Sequence, residues 1–175
     1  LPFGERNFWF DALSTPQYSD YPPLAAPIWG AKWGNPHALL LMSDWGLEDD
    51  IQKQAEFLSL VKRAMAWGIP VGGIGIQSHL WRPVNRWRFL AFVQYIHELG
   101  LEAVVSELTV QSDDERQAAE ILRSYVRLAR QAGITQITTW GLSSRYTKNS
   151  WVWSMPLDSQ LQRSAAWHAI AGGLQ

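Results

Sequence analysis

The chain has no cysteine. Disulfides and thiolate zinc sites are therefore excluded. It also lacks long apolar runs: nothing approaches the roughly 20 residues of a membrane-spanning helix, so no membrane partner is expected. Charge is nearly balanced, with a formal net charge of −1 and no basic block. That argues against nucleic acid and anionic membranes as partners. Histidine is sparse. His37, His79, His97 and His168 lie far apart and show no metal-ligand spacing, so neither a metal nor a cofactor is expected. Glycine-rich phosphate loops are missing too. Gly72-Gly-Ile-Gly falls before or within a strand rather than after it, which argues against a dinucleotide-binding fold. Leu1-Pro-Phe-Gly does not spell a signal peptide, so the compartment is not read from these residues.

What is present is a chain of 175 residues, 47% hydrophobic and 18% charged. That is the balance of one globular domain with a real core. Eleven tryptophans are the compositional outlier. Indole is costly to bury because its N–H needs a partner, so this many points to binding surfaces as well as core. Flat aromatic faces suit the apolar C–H faces of sugar rings.

Two regions differ in texture. Residues 1–36 hold six of the nine prolines and many aromatics, and read as irregular. Short helical pieces are expected at Phe8–Leu13 and Leu24–Trp33. Residues 37–175 are regular. Strands are expected at Ala38–Ser43, Gly73–Gln77, Leu101–Glu107 and Ile134–Thr139. Helices are expected at Asp49–Trp67, Arg86–Leu99, Asp113–Ala132 and Asp158–Ala171, the third opened by a capping box on Ser112. Glycines close the first three helices at 68, 100 and 133, a repeat of 32 to 33 residues. A repeat of helix, glycine, short strand and loop implies a parallel α/β sheet. Right-handed crossovers allow an open doubly wound sheet or part of an eight-fold barrel.

In a parallel barrel the strand ends share one rim. Here they end in Ser43-Asp44-Trp45, Gln77-Ser78-His79, Glu107 and Trp140. Alone, Glu107 is as readily an exposed strand-end carboxylate, and His79 a loop histidine. One repeat apart and at the same strand end, they read better as a pair. A carboxylate, an imidazole, amide and hydroxyl groups and aromatic platforms together fit carbohydrate chemistry.

At these residues the chain resembles glycoside hydrolase family 10, the retaining endo-β-1,4-xylanases. Gly72–Leu80 (GGIGIQSHL) is similar to the sixth-strand pattern DGVGFQSHL, and Val105–Thr109 (VSELT) to the seventh-strand ITELD, whose Glu is the nucleophile. Thr139–Tyr146 (TWGLSSRY) resembles the eighth-strand FWGLTDRYSW, and Leu40–Trp45 (LLMSDW) the fifth-strand YYNDYN. Met155–Ile170 resembles the closing PLLFD…KPAYHAI segment. The matches run in order from about residue 38 to 170. The resemblance implies a (β/α)8 TIM-barrel type of which this chain carries about the last four βα units. Residues 1–36 would follow a missing fourth strand, and 37–175 would be units 5–8. It implies Glu107 as nucleophile, with His79 hydrogen-bonded to it. It implies substrate contacts from Gln77, Trp140, Asp44, Trp45, Arg145 and Tyr146, xylan or xylo-oligosaccharides as the partner, and a secreted or periplasmic setting.

The departures are specific. Thr109 stands where the family pattern has an Asp that orients the histidine; Ser43 replaces Asn and Ser144 replaces Asp. Lys148 replaces a Trp, with Trp151 and Trp153 nearby. Nothing matches the fourth-strand WDVVNE motif that carries the general acid; Glu5 is a weak candidate in a loop-like setting. Half a barrel leaves open strand edges and an uncovered inner face. An N-terminal half-barrel chain, a second copy of this chain, or the early aromatic segment would have to cover them. The alternative to an enzyme is a catalytically impaired, carbohydrate-binding half-barrel.

Overall fold

A computed structural model describes residues 25–147 and 152–175. Glu5, Phe8–Leu13, Lys148 and Trp151 lie outside the described residues. Helix α1 spans Ala25–Gly34, and then strands and helices alternate: β1 (Leu41–Trp45), α2 (Ile51–Ala66), β2 (Gly73–Leu80), α3 (Arg86–Glu98), β3 (Glu102–Val110), α4 (Glu115–Gln131), β4 (Ile137–Thr139) and α5 (Ala165–Gly173). Two 3-10 turns, Ser144–Tyr146 and Val152–Ser154, separate β4 from α5. The four strands form one parallel sheet in chain order. This is a partial (β/α) barrel.

The repeat has a local cause. Gly68, Gly100 and Gly133 all carry positive φ, at 74°, 75° and 87°. That conformation ends a helix at little cost only when no Cβ is present. Each of the three helices these glycines close is opened by a side-chain cap. Asp50 accepts from the backbone N–H of Lys53, Asn85 from that of Arg88, and Asp114 from that of Gln117. The expected cap at Ser112 is corrected here. Ser112 instead accepts from the Asp114 N–H and donates to the Gln117 side chain, so it braces the cap from outside. The last helix is also shorter than expected. It opens at Ser164, and Asp158 serves a turn, accepting from the backbone N–H groups of Gln160 and Gln162.

The helices bury one face of the sheet. Met42, Ile74, Ile76, Leu80, Ala103, Val105, Leu108 and Val110 are buried on it, against Phe57, Val61, Phe89, Val93, Ile96, Leu122 and Val126 of the helices. The strands run further than the apolar spelling suggests. β1 includes Asp44 and Trp45, β2 includes Ser78 and His79, and β3 continues three residues past Glu107. The apolar run marks only where both faces are dry. Past it, polar residues occupy one face while the ladder goes on.

One irregularity positions the site. Ile76 pairs with Val105, but Gln77 pairs with Glu107, leaving Ser106 as a surplus residue in β3. Against β4 the same shift recurs, with Val105 opposite Ile137 and Leu108 opposite Thr139. This is a β-bulge, which re-aims a side chain without ending the strand. It lets Ser106 and Glu107 both stay half-buried between the buried neighbours Val105 and Leu108.

Candidate active site

The sheet face opposite the helices carries the polar inventory. On β2, alternation sets Gly75, Gln77 and His79 on this face and Ile74, Ile76, Ser78 and Leu80 on the other. Gly75 is needed for contact: an added Cβ would lie 2.8 Å from Ser43 Oγ and 3.0 Å from Ser106 Oγ. Those two hydroxyls share a hydrogen bond of 3.0 Å across the missing side chain. The Gln77 amide donates to Ser43 Oγ at 3.4 Å. Further along, His79 Nε2 lies 3.1 Å from Glu107 Oε2, and its Nδ1 lies 2.8 Å from Thr109 Oγ1. The Trp140 ring meets His79 edge-on, at 6.2 Å between centroids. Trp140 is held there by its backbone N–H, which donates to Leu108 O at 3.0 Å, and half of its surface stays exposed.

Gln77, His79, Glu107 and Trp140 are thus brought together. Trp45 shares the face through alternation with Ser43, and Lys53 Nζ lies 3.6 Å from the centroid of its ring. Asp44 does not join them. It is buried with Met42 on the helix side, and its carboxylate faces Lys53 of α2 at 3.5 Å. Asp44 is therefore placed as a strut between β1 and α2, because one step along a strand reverses the face. Arg145 lies in the first 3-10 turn, where its Nε donates to Ser159 O at 2.8 Å, and Tyr146 beside it is largely exposed. Neither makes a hydrogen bond with the His79–Glu107 pair.

Behind the site is a second polar cluster that the motifs do not reveal. Ser78, between Gln77 and His79 but on the buried face, shares a 2.6 Å hydrogen bond with the Tyr125 hydroxyl of α4. Glu48 is buried, and its Oε1 has no hydrogen-bond partner. Burial, with a smaller contribution from the Asp49 charge, raises its pKa from 4.5 to about 8. Burial, and then Glu48, raise the Tyr125 pKa as well. Only the acidic spelling Glu48-Asp49-Asp50 hinted at Glu48, and in sequence it reads as a helix start.

Among the described residues no cluster of three or more His, Asp or Glu side chains is arranged to hold a metal, and no helix is long and apolar enough to cross a membrane. The strands offer this face one carboxylate at its functional end. Glu102, five residues before Glu107, is at the other end of β3, about 17 Å along the strand. The arrangement can present an anionic oxygen, oriented by an imidazole, beside an exposed indole.

Curated relatives of this chain include proteins named as endo-1,4-beta-xylanases and one named as an exoglucanase, XynX of Acetivibrio thermocellus. Endo-1,4-beta-xylanase B of Thermotoga neapolitana is 26% identical over 156 residues, covering 84% of this chain and 42% of that protein. The structure of endo-1,4-beta-xylanase XylE from Penicillium canescens superposes with a TM-score of 0.79 at 22% identity, covering 97% of this chain and 56% of the other. Native xylanase 10B from Thermotoga maritima gives 0.73 at 22% identity, covering 87% and 51%. The chain spans less than half the length of the curated relatives it matches. The sequence model of Glycosyl hydrolase family 10 matches residues 28–172, the whole run of βα units described above. With that match added to the sheet, the bulge and the paired His79 and Glu107, the chain belongs to glycosyl hydrolase family 10.

Proposed function

We propose that this chain is the nucleophile-bearing half of a retaining β-1,4-xylanase. The observation that carries the reading is the 3.1 Å contact between His79 and Glu107 on the open sheet face, within a family 10 chain. Glu107 attacks the anomeric carbon of a xylosyl unit, forming a glycosyl–enzyme ester as the glycosidic bond breaks. A protonated carboxylic acid, about 5–5.5 Å away, donates its proton to the leaving oxygen and then activates the water that hydrolyses the ester. That acid belongs to the other half of the barrel, supplied by an N-terminal half-barrel or by a second copy of this chain. Gln77 hydrogen-bonds the bound sugar, and Trp140 and Trp45 pack on its ring faces. Arg145 and Tyr146 extend the cleft at the eighth-strand end.

The test is release of reducing ends from xylan by the full chain, alone and mixed with a separately made N-terminal half-barrel of a family 10 xylanase. Turnover in either mixture that disappears with Glu107→Gln supports the reading. Turnover unchanged by Glu107→Gln overturns it.

Binding without turnover is the second reading, favoured by Thr109 at the histidine's side and by Ser43 where the family pattern has Asn. It predicts xylo-oligosaccharide affinity that survives Glu107→Gln, with no reducing ends released under any pairing.

A further inference from the structure

Lys53 occupies a place that its own helix does not explain. It is the third residue of α2, where its backbone N–H is taken by the Asp50 cap. The first turn of a helix carries partial positive charge, so an ammonium belongs at the other end. The side chain leaves the turn instead. It runs past the end of β1 at Gly46, where an added Cβ would lie 3.5 Å from Lys53 Cδ and 3.7 Å from Nζ. The ammonium then lies 3.5 Å from Asp44 Oδ1 and 3.6 Å from the centroid of the Trp45 ring. Asp44 is on the helix side of β1 and Trp45 on the open side. One cation from the helix layer therefore holds both faces of the sheet at the end of one strand.

Exposure separates the two ends of this contact. The Lys53 side chain is 11% exposed, with its charge turned to Asp44 and the indole, so it is not placed to take an anionic ligand. Trp45 is 53% exposed. One face of its ring is covered by a largely desolvated ammonium, and the opposite face is the one left to offer. Cation–π attraction grows as the cation is desolvated. An indole turns about two side-chain torsions, and fixing them at the moment of binding costs affinity.

We propose that Lys53 is a positioning residue: its ammonium, anchored by Asp44, holds the Trp45 indole at the end of β1 with one ring face preset to stack on a pyranose. The choice of a xylosyl ring as the stacking partner rests on the function proposed above. The clamp itself rests on geometry and is read without sugar. The competing role for Lys53 is a plain strut, in which the pair with Asp44 ties α2 to β1 and the indole contributes nothing.

The experiment is nitrogen-15 NMR of the tryptophan indoles in the full chain, followed by titration with xylotetraose. The proteins are the parent, Lys53→Arg, Lys53→Met, and Lys53→Met combined with Asp44→Asn. Trp45→Leu identifies the Trp45 signal. The double variant removes the charge from both partners, so a broken ion pair does not decide the result. By heteronuclear NOE, the Trp45 indole is expected to be as rigid as the backbone in the parent and in the Arg variant, which keeps a cation over the ring. It is expected to be clearly more mobile in both Met variants. Xylotetraose affinity should fall about threefold to thirtyfold in both Met variants, the worth of one cation–π contact, and stay within about twofold of the parent with Arg. A double variant whose Trp45 indole is as rigid as the parent's overturns the proposal. So does a double variant that binds xylotetraose as the parent does. If neither Met variant folds, the parent decides: a mobile Trp45 indole, or Lys53 ε-methylene protons without the upfield shift of a ring above them, overturns it. A parent that binds no xylotetraose while the rigidity contrast holds would overturn the xylan reading and leave the clamp standing.

Discussion

Glu107 and Leu108 are neighbours in β3 and belong to different worlds. Leu108 is fully buried between sheet and helices, while Glu107 stands half-exposed on the open face beside His79. The same contrast runs through β2, where Ile74 and Ile76 are sealed and Gln77 and His79 are not. One face binds the helices to the sheet, and the other is left for chemistry. The difference teaches that fold and site are separable here at the resolution of a single residue. The separation is incomplete in one place. Ser78, Tyr125 and Glu48 put polar groups on the sealed side, directly behind Gln77 and His79.

The contrast can be broken from either side. Glu107→Gln in a turnover-competent barrel is expected to lower kcat on the order of a thousandfold or more, as loss of a nucleophile does. The melting temperature should stay nearly unchanged, because no packing is lost. A large thermal shift would mean that the open face also holds the fold together. Leu108→Ala should do the reverse. Chemical denaturation is expected to show a loss of about 2–5 kcal/mol from the cavity left under the helix layer. A loss below about 1 kcal/mol would show that the helix layer is loosely packed there.

Glu48 tests the exception. Its folded pKa of about 8 lies above its ordinary 4.5. The folded state therefore holds the proton more tightly, so this group's contribution is full below about pH 4.5 and is lost as pH rises through about 8. The loss is roughly 4–5 kcal/mol at most, using about 1.4 kcal/mol per unit. Glu48→Gln keeps the shape and removes the titration. Urea midpoints from pH 5 to 9 should fall with pH in the parent and fall much less in the variant; equal slopes would place the proton elsewhere. Gly75→Ala is the smallest change. Its new methyl would press on Ser43 and Ser106 within 3.0 Å, and about 1–3 kcal/mol of stability should be lost. Calorimetry that shows no loss would mean that the hydroxyl pair can part freely.

The βα order was legible because each signal is local. Positive-φ glycines at 68, 100 and 133 punctuate the helices in sequence as they do in space. The pairing of His79 with Glu107 was legible through their shared phase in the repeat. The face of Asp44 was not. Strand β1 was expected to stop at Ser43, and a residue beyond a strand has no assigned face; once the ladder is seen to include it, alternation turns it to α2 and Lys53. The Ser112 cap failed for a related reason. Two hydroxyl or carboxyl residues near one helix start compete for the same N–H groups, and Asp114 stands closer in register. The bulge left no mark at all, since Ser106 is an ordinary residue whose surplus exists only relative to the neighbouring strands.

That surplus makes β3 behave like a text with a reading frame. Removing Ser106 would restore regular pairing and leave Glu107 opposite Gln77, with every later residue on its present face. Removing Val105 would keep the same frame but put the Ser106 hydroxyl in the buried place of Val105, whereas removing Leu108, two positions on, would leave the bulge and turn Thr109 onto the buried face. Tolerance to single deletions along this strand should therefore peak at one codon. A lineage that loses that codon would keep the site in frame, whereas a deletion just past Glu107 would turn Thr109 away from His79.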